Sequence, residues 1–213
     1  MCWSPTADLL AGGAVMAIGV LTVTGVRRAR DLPLAALPLI LGAHQLVESV
    51  VWRSTDGDVS RGVGDAATLL WAMIAYPLLP AFVPLAVLAA SGHRARMRLL
   101  PLVIIGLLTS ALTAYALATG PVVAEPVGHT MRYGVYVPLG NLAVVGYLIA
   151  TIGSLLASDQ RKIQRLGVVV GVGAAVCATL WQQAFVSTWC ALAAVTSLIL
   201  LDWVRRPRSA VLV

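Results

Sequence analysis

Residues 42–52 read GAHQLVESVVW, and His44, Gln45, Glu48 and Ser49 stand there in an otherwise apolar run. His44 and Glu48 are four residues apart, as are Glu48 and Trp52, so a helix puts all three on one face. A carboxyl group placed in hydrocarbon costs roughly 2.5 kcal/mol or more. It must therefore face a bundle interior or a cavity, and it is a functional candidate by default. The chemistry it offers is that of a general acid. Away from water the charged form of a carboxyl is disfavoured, so a proton stays available. His44 could orient the carboxyl or return its proton. The competing reading is structural: a neutral or paired Glu48 that locks helix packing through His44 or Gln45.

The rest of the chain says what must position these groups. Of its 213 residues, 59% are hydrophobic and 11% charged, against about a quarter charged in a soluble domain. Mean hydropathy is +0.89. Apolar stretches long enough to cross a bilayer as helix recur at 6–26, 33–52, 66–90, 99–119, 137–157, 166–183 and 185–204. The expected fold is all-α: a polytopic membrane protein whose single domain, 1–213, is a bundle of seven transmembrane helices in the cell membrane. Pro77, Pro80 and Pro84 should kink the third span. The start, MCWSPTADLL, has no basic region before its apolar run, so the first span is expected to be kept rather than cleaved.

Twelve of the fifteen basic residues fall in four clusters, at 27–30, 94–98, 161–165 and 205–208. These follow spans one, three, five and seven. By the positive-inside rule the N-terminus is outside and the C-terminus inside. The net charge of +6 is spread between apolar runs. It does not form the single basic face that nucleic acid requires, so no nucleic-acid partner is expected.

With that orientation the unusual side chains gather in the outer half. Asp8 and Asp65 are further candidate acids, although each lies near a helix start, where capping or the helix dipole explains a carboxylate equally well. Candidate substrate contacts are Trp3, Gln45, Trp52, Trp71, Tyr76, Tyr115, His129, Tyr133, Trp181, Gln182 and Trp189. An aromatic belt is the competing explanation for any one ring. The bias of the rings toward one leaflet points instead to an aromatic-walled cavity. Asp202, near the inner end of span seven, is within helical reach of Arg205 and Arg206 and reads as a surface ion pair. Cys2, His44, Glu48, His129 and Cys190 could converge on a metal, or Cys2 and Cys190 could pair, but no metal-ligand spacing beyond the helical His44/Glu48 pair is present. No cofactor is expected.

MCWSPTADLLAGG, HQLVESVVW and FVSTWCALAA resemble segments of a family of small bacterial membrane proteins of largely unassigned function. The chain as a whole also resembles the integral-membrane terpene cyclases, the bacterial drimentine-type enzymes and more distantly the fungal meroterpenoid cyclases. The resemblance implies a seven-span, metal-independent class II-type terpene cyclase. In such an enzyme an intramembrane acid, here Glu48, protonates an alkene or epoxide of a farnesyl chain carried on an indole or diketopiperazine. Fungal members have an acid near the last span; Asp202 is the nearest match, yet it lies at the opposite face from Glu48. The π faces of the aromatic residues would stabilise the carbocations. Asp8, Asp65, His44 or water bound to Gln182 would take the final proton. The implied partners are a lipophilic prenylated molecule and the bilayer. Two other functions remain open: a seven-span metal-dependent lipid hydrolase, for which three histidines are few ligands, and a proton-coupled transporter or lipophile-binding protein with Glu48 as proton carrier. The orientation has a direct check. A green fluorescent protein fused after Val213 should fluoresce and alkaline phosphatase fused there should be silent; the reverse pair of results would invert the topology.

Overall fold

The computed structural model describes residues 4–128, 130–180 and 192–205. Helix α1 runs Pro5–Thr24. The Ala7 N–H donates to Ser4 Oγ at 3.1 Å, and proline fills the first helical position, where its missing N–H costs nothing. Helix α2 runs Ala29–Thr55, opening in a 3₁₀ turn at Ala29–Asp31. Helix α3, Arg61–Ala90, widens into a π-helical turn at Ile74–Leu78 that contains Pro77. Proline has no N–H to give the turn before it, and the wider turn absorbs that loss without breaking the helix. Pro80 and Pro84 follow in the same helix.

Helix α4, His93–Thr119, tolerates Pro101. Strands β1, Val122–Val127, and β2, Thr130–Val135, then pair antiparallel with Ala124 opposite Tyr133 and Glu125 opposite Arg132. Glu125 and Arg132 form an exposed ion pair across this register. Gly128, with φ 60°, supplies the left-handed backbone at the turn. Helix α5, Gly140–Ala157, holds a second π-helical turn at Ile149–Gly153. Helices α6, Arg161–Leu180, and α7, Ala193–Arg205, complete the described chain.

Five of these helices, α1 to α5, are long and apolar enough to cross a membrane, so the chain reads as a mostly helical membrane protein. The expectation of an all-α chain holds broadly, with one exception among the described residues, the 122–135 hairpin. Strand β1, interrupted by Glu125 and Pro126, and strand β2, with Arg132 and Gly134, read as loop until their register brings them together. Arg94, Arg96 and Arg98 lie in the first turns of α4, and Arg161, Lys162 and Arg165 in those of α6.

Two kinds of contact hold the bundle. At the arginine end the loops are tied by hydrogen bonds. The Gly92 N–H donates to Asp159 at 3.0 Å, Gln160 Nε2 to the Ala90 carbonyl at 2.7 Å, and the Trp203 indole to Gln160 Oε1 at 2.8 Å. Asp202 pairs with Lys162 at 2.7 Å, a long-range ion pair between α7 and the start of α6. Above this end a core of Leu34, Leu99, Ile163, Leu166, Leu200 and Trp203 fills the interior. Between α1 and α2 the backbones nearly touch: a Cβ added at Gly42 would lie 2.7 Å from the Met16 nitrogen, and one at Gly19 2.8 Å from that of Leu39. Small residues allow such an approach.

Gly42→Ala should therefore push α1 from α2 and destabilise the protein by about 1–3 kcal/mol. Gly13→Ala, where an added Cβ meets nothing within 4 Å, should be neutral. Melting temperatures in one detergent check the pair; equal values for the two variants would contradict the close α1–α2 packing.

Candidate functional site

The buried face of α2 carries His44, Gln45, Glu48, Ser49 and Trp52. Ser49 is satisfied within its own helix, donating to the Leu46 carbonyl at 2.7 Å. Glu48 has no exposed surface, and neither does Trp71 of α3. The Trp71 indole N–H donates to Glu48 Oε2 at 3.2 Å. The same indole is stacked on by His44, with ring centroids 4.6 Å apart at 29°, and by Tyr133 of β2, 3.4 Å apart at 5°. Rings at those separations would overlap on one face, so they take opposite faces of Trp71. Tyr76 meets the edge of Trp71 at 6.4 Å and 70°, a favoured aromatic geometry.

Asp8 completes the cluster from α1. It has no exposed surface, and it faces Glu48 and the Trp52 indole. The capping role considered for Asp8 is corrected: Ser4 caps α1, and Asp8 looks inward because the close α1–α2 packing carries it to Glu48. Trp52 packs with Val51, Ala67 and Met131 of the hairpin. Four elements (α1, α2, α3 and β2) thus build one buried acid–aromatic cluster.

A cavity of about 490 Å³ lies beside it, lined from α2 to α7 and by the end of the hairpin. Its wall is mostly aliphatic. His44 and Tyr76 belong to both the cluster and the wall. Thr113, Thr151 and Thr196 also face it, but each hydroxyl donates to a carbonyl of its own helix, at 2.9, 2.7 and 2.9 Å. Both π-helical turns border the cavity, the first through Ala75 and Tyr76 and the second through Thr151. A π-helical turn shifts the face that follows it, a device frequent at functional sites.

Several expectations are corrected here. Glu48 is not part of the cavity wall; it accepts from the Trp71 indole, which does not line the cavity either. Trp52 and Trp71 face the acids, not the cavity; the aromatic wall among the described residues is His44, Tyr76, Tyr136 and Tyr147. Asp65 is exposed, because the buried face of its helix is set by Gly64, Ala67, Thr68 and Trp71. Tyr115 is 60% exposed, pointing away from the face that Thr113 and Leu117 bury. Trp3, His129, Trp181, Gln182, Trp189, Cys2 and Cys190 lie outside the described residues. Among the described residues no three His, Cys, Asp or Glu side chains are grouped to hold a metal. The sequence reading passed over Tyr147 and Thr151, although Ala143, Tyr147, Thr151 and Leu155 recur at helical spacing on one face.

No curated protein and no solved structure matches the chain. A family model described as a family of unknown function (DUF6629) matches residues 1–213, and the chain belongs to that family.

Proposed function

We propose that the protein is a seven-span membrane enzyme, N-terminus outside and C-terminus inside, that cyclises a prenyl chain by protonating one of its alkenes. The single observation carrying this reading is that His44 belongs both to the buried acid cluster and to the wall of the apolar cavity. Two facing carboxyls at membrane depth, Asp8 and Glu48, are too costly to charge together. At least one of them then keeps its proton.

Glu48 sits one helical turn from His44, and the imidazole has two nitrogens. One accepts a proton from the acid pair while the other gives a proton to the alkene carbon. A C–H bond forms, the π bond is consumed, and the cation passes to the next alkene as the ring closes. Tyr76 and Tyr147 offer π faces to that cation. The last cation loses a proton to the cavity-side nitrogen of His44, whose other nitrogen returns one to the acid pair, and the starting state is restored. The aliphatic wall keeps out water that would quench the cation.

A second reading, binding or proton-coupled carriage of a lipophile without chemistry, is favoured by one observation: Glu48 does not line the cavity. The test is turnover of a farnesylated indole diketopiperazine by membranes containing the protein and a chelator, followed by mass spectrometry. His44→Ala and Glu48→Gln should each lower kcat by about 10²–10⁴-fold while substrate is still retained. Wild-type rates in both variants would remove these residues from the mechanism. Retention without turnover by the parent protein would select the second reading.

A further inference from the structure

We propose that the cavity accepts one extended hydrocarbon chain, tail first, with an uncharged polar head beside Tyr136, and that the whole slot matches a main chain of about 16 carbons. Its occupancy does not depend on proton transfer at His44; a chain held fully extended cannot close a ring, so this inference rests on the second reading, binding or carriage of a lipophile, and its failure leaves the cyclisation test untouched.

Length comes first. The lining follows α5 from Gly140 to Leu155, which at helical rise is about 22 Å. An extended chain advances about 1.3 Å per carbon, given the tetrahedral zigzag of bonds near 1.5 Å. The slot is therefore long and narrow rather than round.

Polarity gives the direction. The residues at the arginine end of the slot are Leu37, Val83, Leu155 and Leu166, all buried and all in the same aliphatic core. Below them the loops are closed by the Gly92–Asp159, Gln160–Ala90 and Trp203–Gln160 hydrogen bonds. That floor offers nothing to a polar group, and leaving one there unsatisfied would be costly. At the hairpin end stand Tyr136, 81% exposed, Tyr76 and His44. The opening and the hydrogen-bonding side chains are thus at the same end. Midway, the threonine hydroxyls are already committed to their own helices.

Charge narrows the head. No lysine, arginine, aspartate or glutamate lines the cavity among the described residues. A carboxylate or diphosphate would have no counter-ion there, whereas an alcohol, amide or indole needs only a hydrogen bond. A prenyl chain and a straight acyl chain share this chemistry.

The test is native mass spectrometry of the detergent-purified full chain, challenged with an equimolar ladder of straight 1-alkanols from ten to twenty-two carbons. Farnesol, geranylgeraniol, palmitate and geranylgeranyl diphosphate are compared separately. Retention should peak near about 16 carbons, and hexadecanol should exceed palmitate several-fold. Geranylgeraniol should likewise exceed its diphosphate, and the ratio of geranylgeraniol to hexadecanol identifies the chain type. Val83→Phe should move the peak to shorter chains by roughly three carbons, and Leu166→Ala should move it to longer ones by roughly two. A flat ladder, equal retention of charged and neutral heads, or a peak unmoved in either variant at unchanged melting temperature would overturn the proposal. If neither variant folds, the ladder and the head-group comparison on the parent protein decide it alone.

Discussion

A carboxyl held at membrane depth has to be compensated by its immediate neighbours, since no solvent is there to do it, and the upper half of this bundle is organised around that requirement at Glu48. The Trp71 indole N–H supplies a hydrogen bond, and Trp71 is itself fixed between His44 and Tyr133. Each of these rings comes from a different element. The position of the acid therefore constrains α2, α3 and the hairpin together, and the hairpin is drawn onto the bundle by a ring that has to cover Trp71. Asp8 adds a fourth constraint, because it reaches Glu48 only where Gly12 and Gly42 let α1 and α2 approach closely.

The two ends of the molecule are built on different physics. At the arginine end, backbone and side-chain hydrogen bonds tie two loops to each other and to α7 over an aliphatic core. At the other end, stacked rings and a short hairpin close the bundle over buried acids. Between them both π-helical turns open onto one cavity. A straight α3 would carry Tyr76 on a different bearing. The wider turn at Pro77 costs helix regularity and in return sets a phenol between the acid cluster and the apolar space. His44 has the same double membership, and this makes the cavity chemically more than a packing defect.

How much of this was legible in the residues themselves depends on the range of the interaction concerned. Length and apolarity fix a membrane-crossing helix locally, because every backbone group in hydrocarbon must bond within its own segment; α1 to α5 follow directly. The spacing of His44, Glu48 and Trp52 is also local, and their shared buried face could be read from helical period alone. Asp65 shows the limit. It is the same residue type as Asp8 and as close to a helix start, yet α3 turns it outward and α1 turns Asp8 inward. The hairpin likewise escaped notice because strand pairing is a contact between segments, and neither strand carries a strong pattern of its own.

The sequence by itself determined a helical membrane protein with a clustered basic end and an acid–imidazole pair on one buried helix face, because charge, hydropathy and a 3.6-residue period are properties of a single segment. Only the tertiary structure decided that Asp8 meets Glu48, that Glu48 and Trp71 stay out of the cavity wall, and that among the described residues tyrosines rather than tryptophans line it. Those outcomes depend on how closely α1 and α2 pack, on where two π-helical turns shift the helix faces, and on which ring the hairpin covers. Each of these is settled by contact between elements distant in the chain.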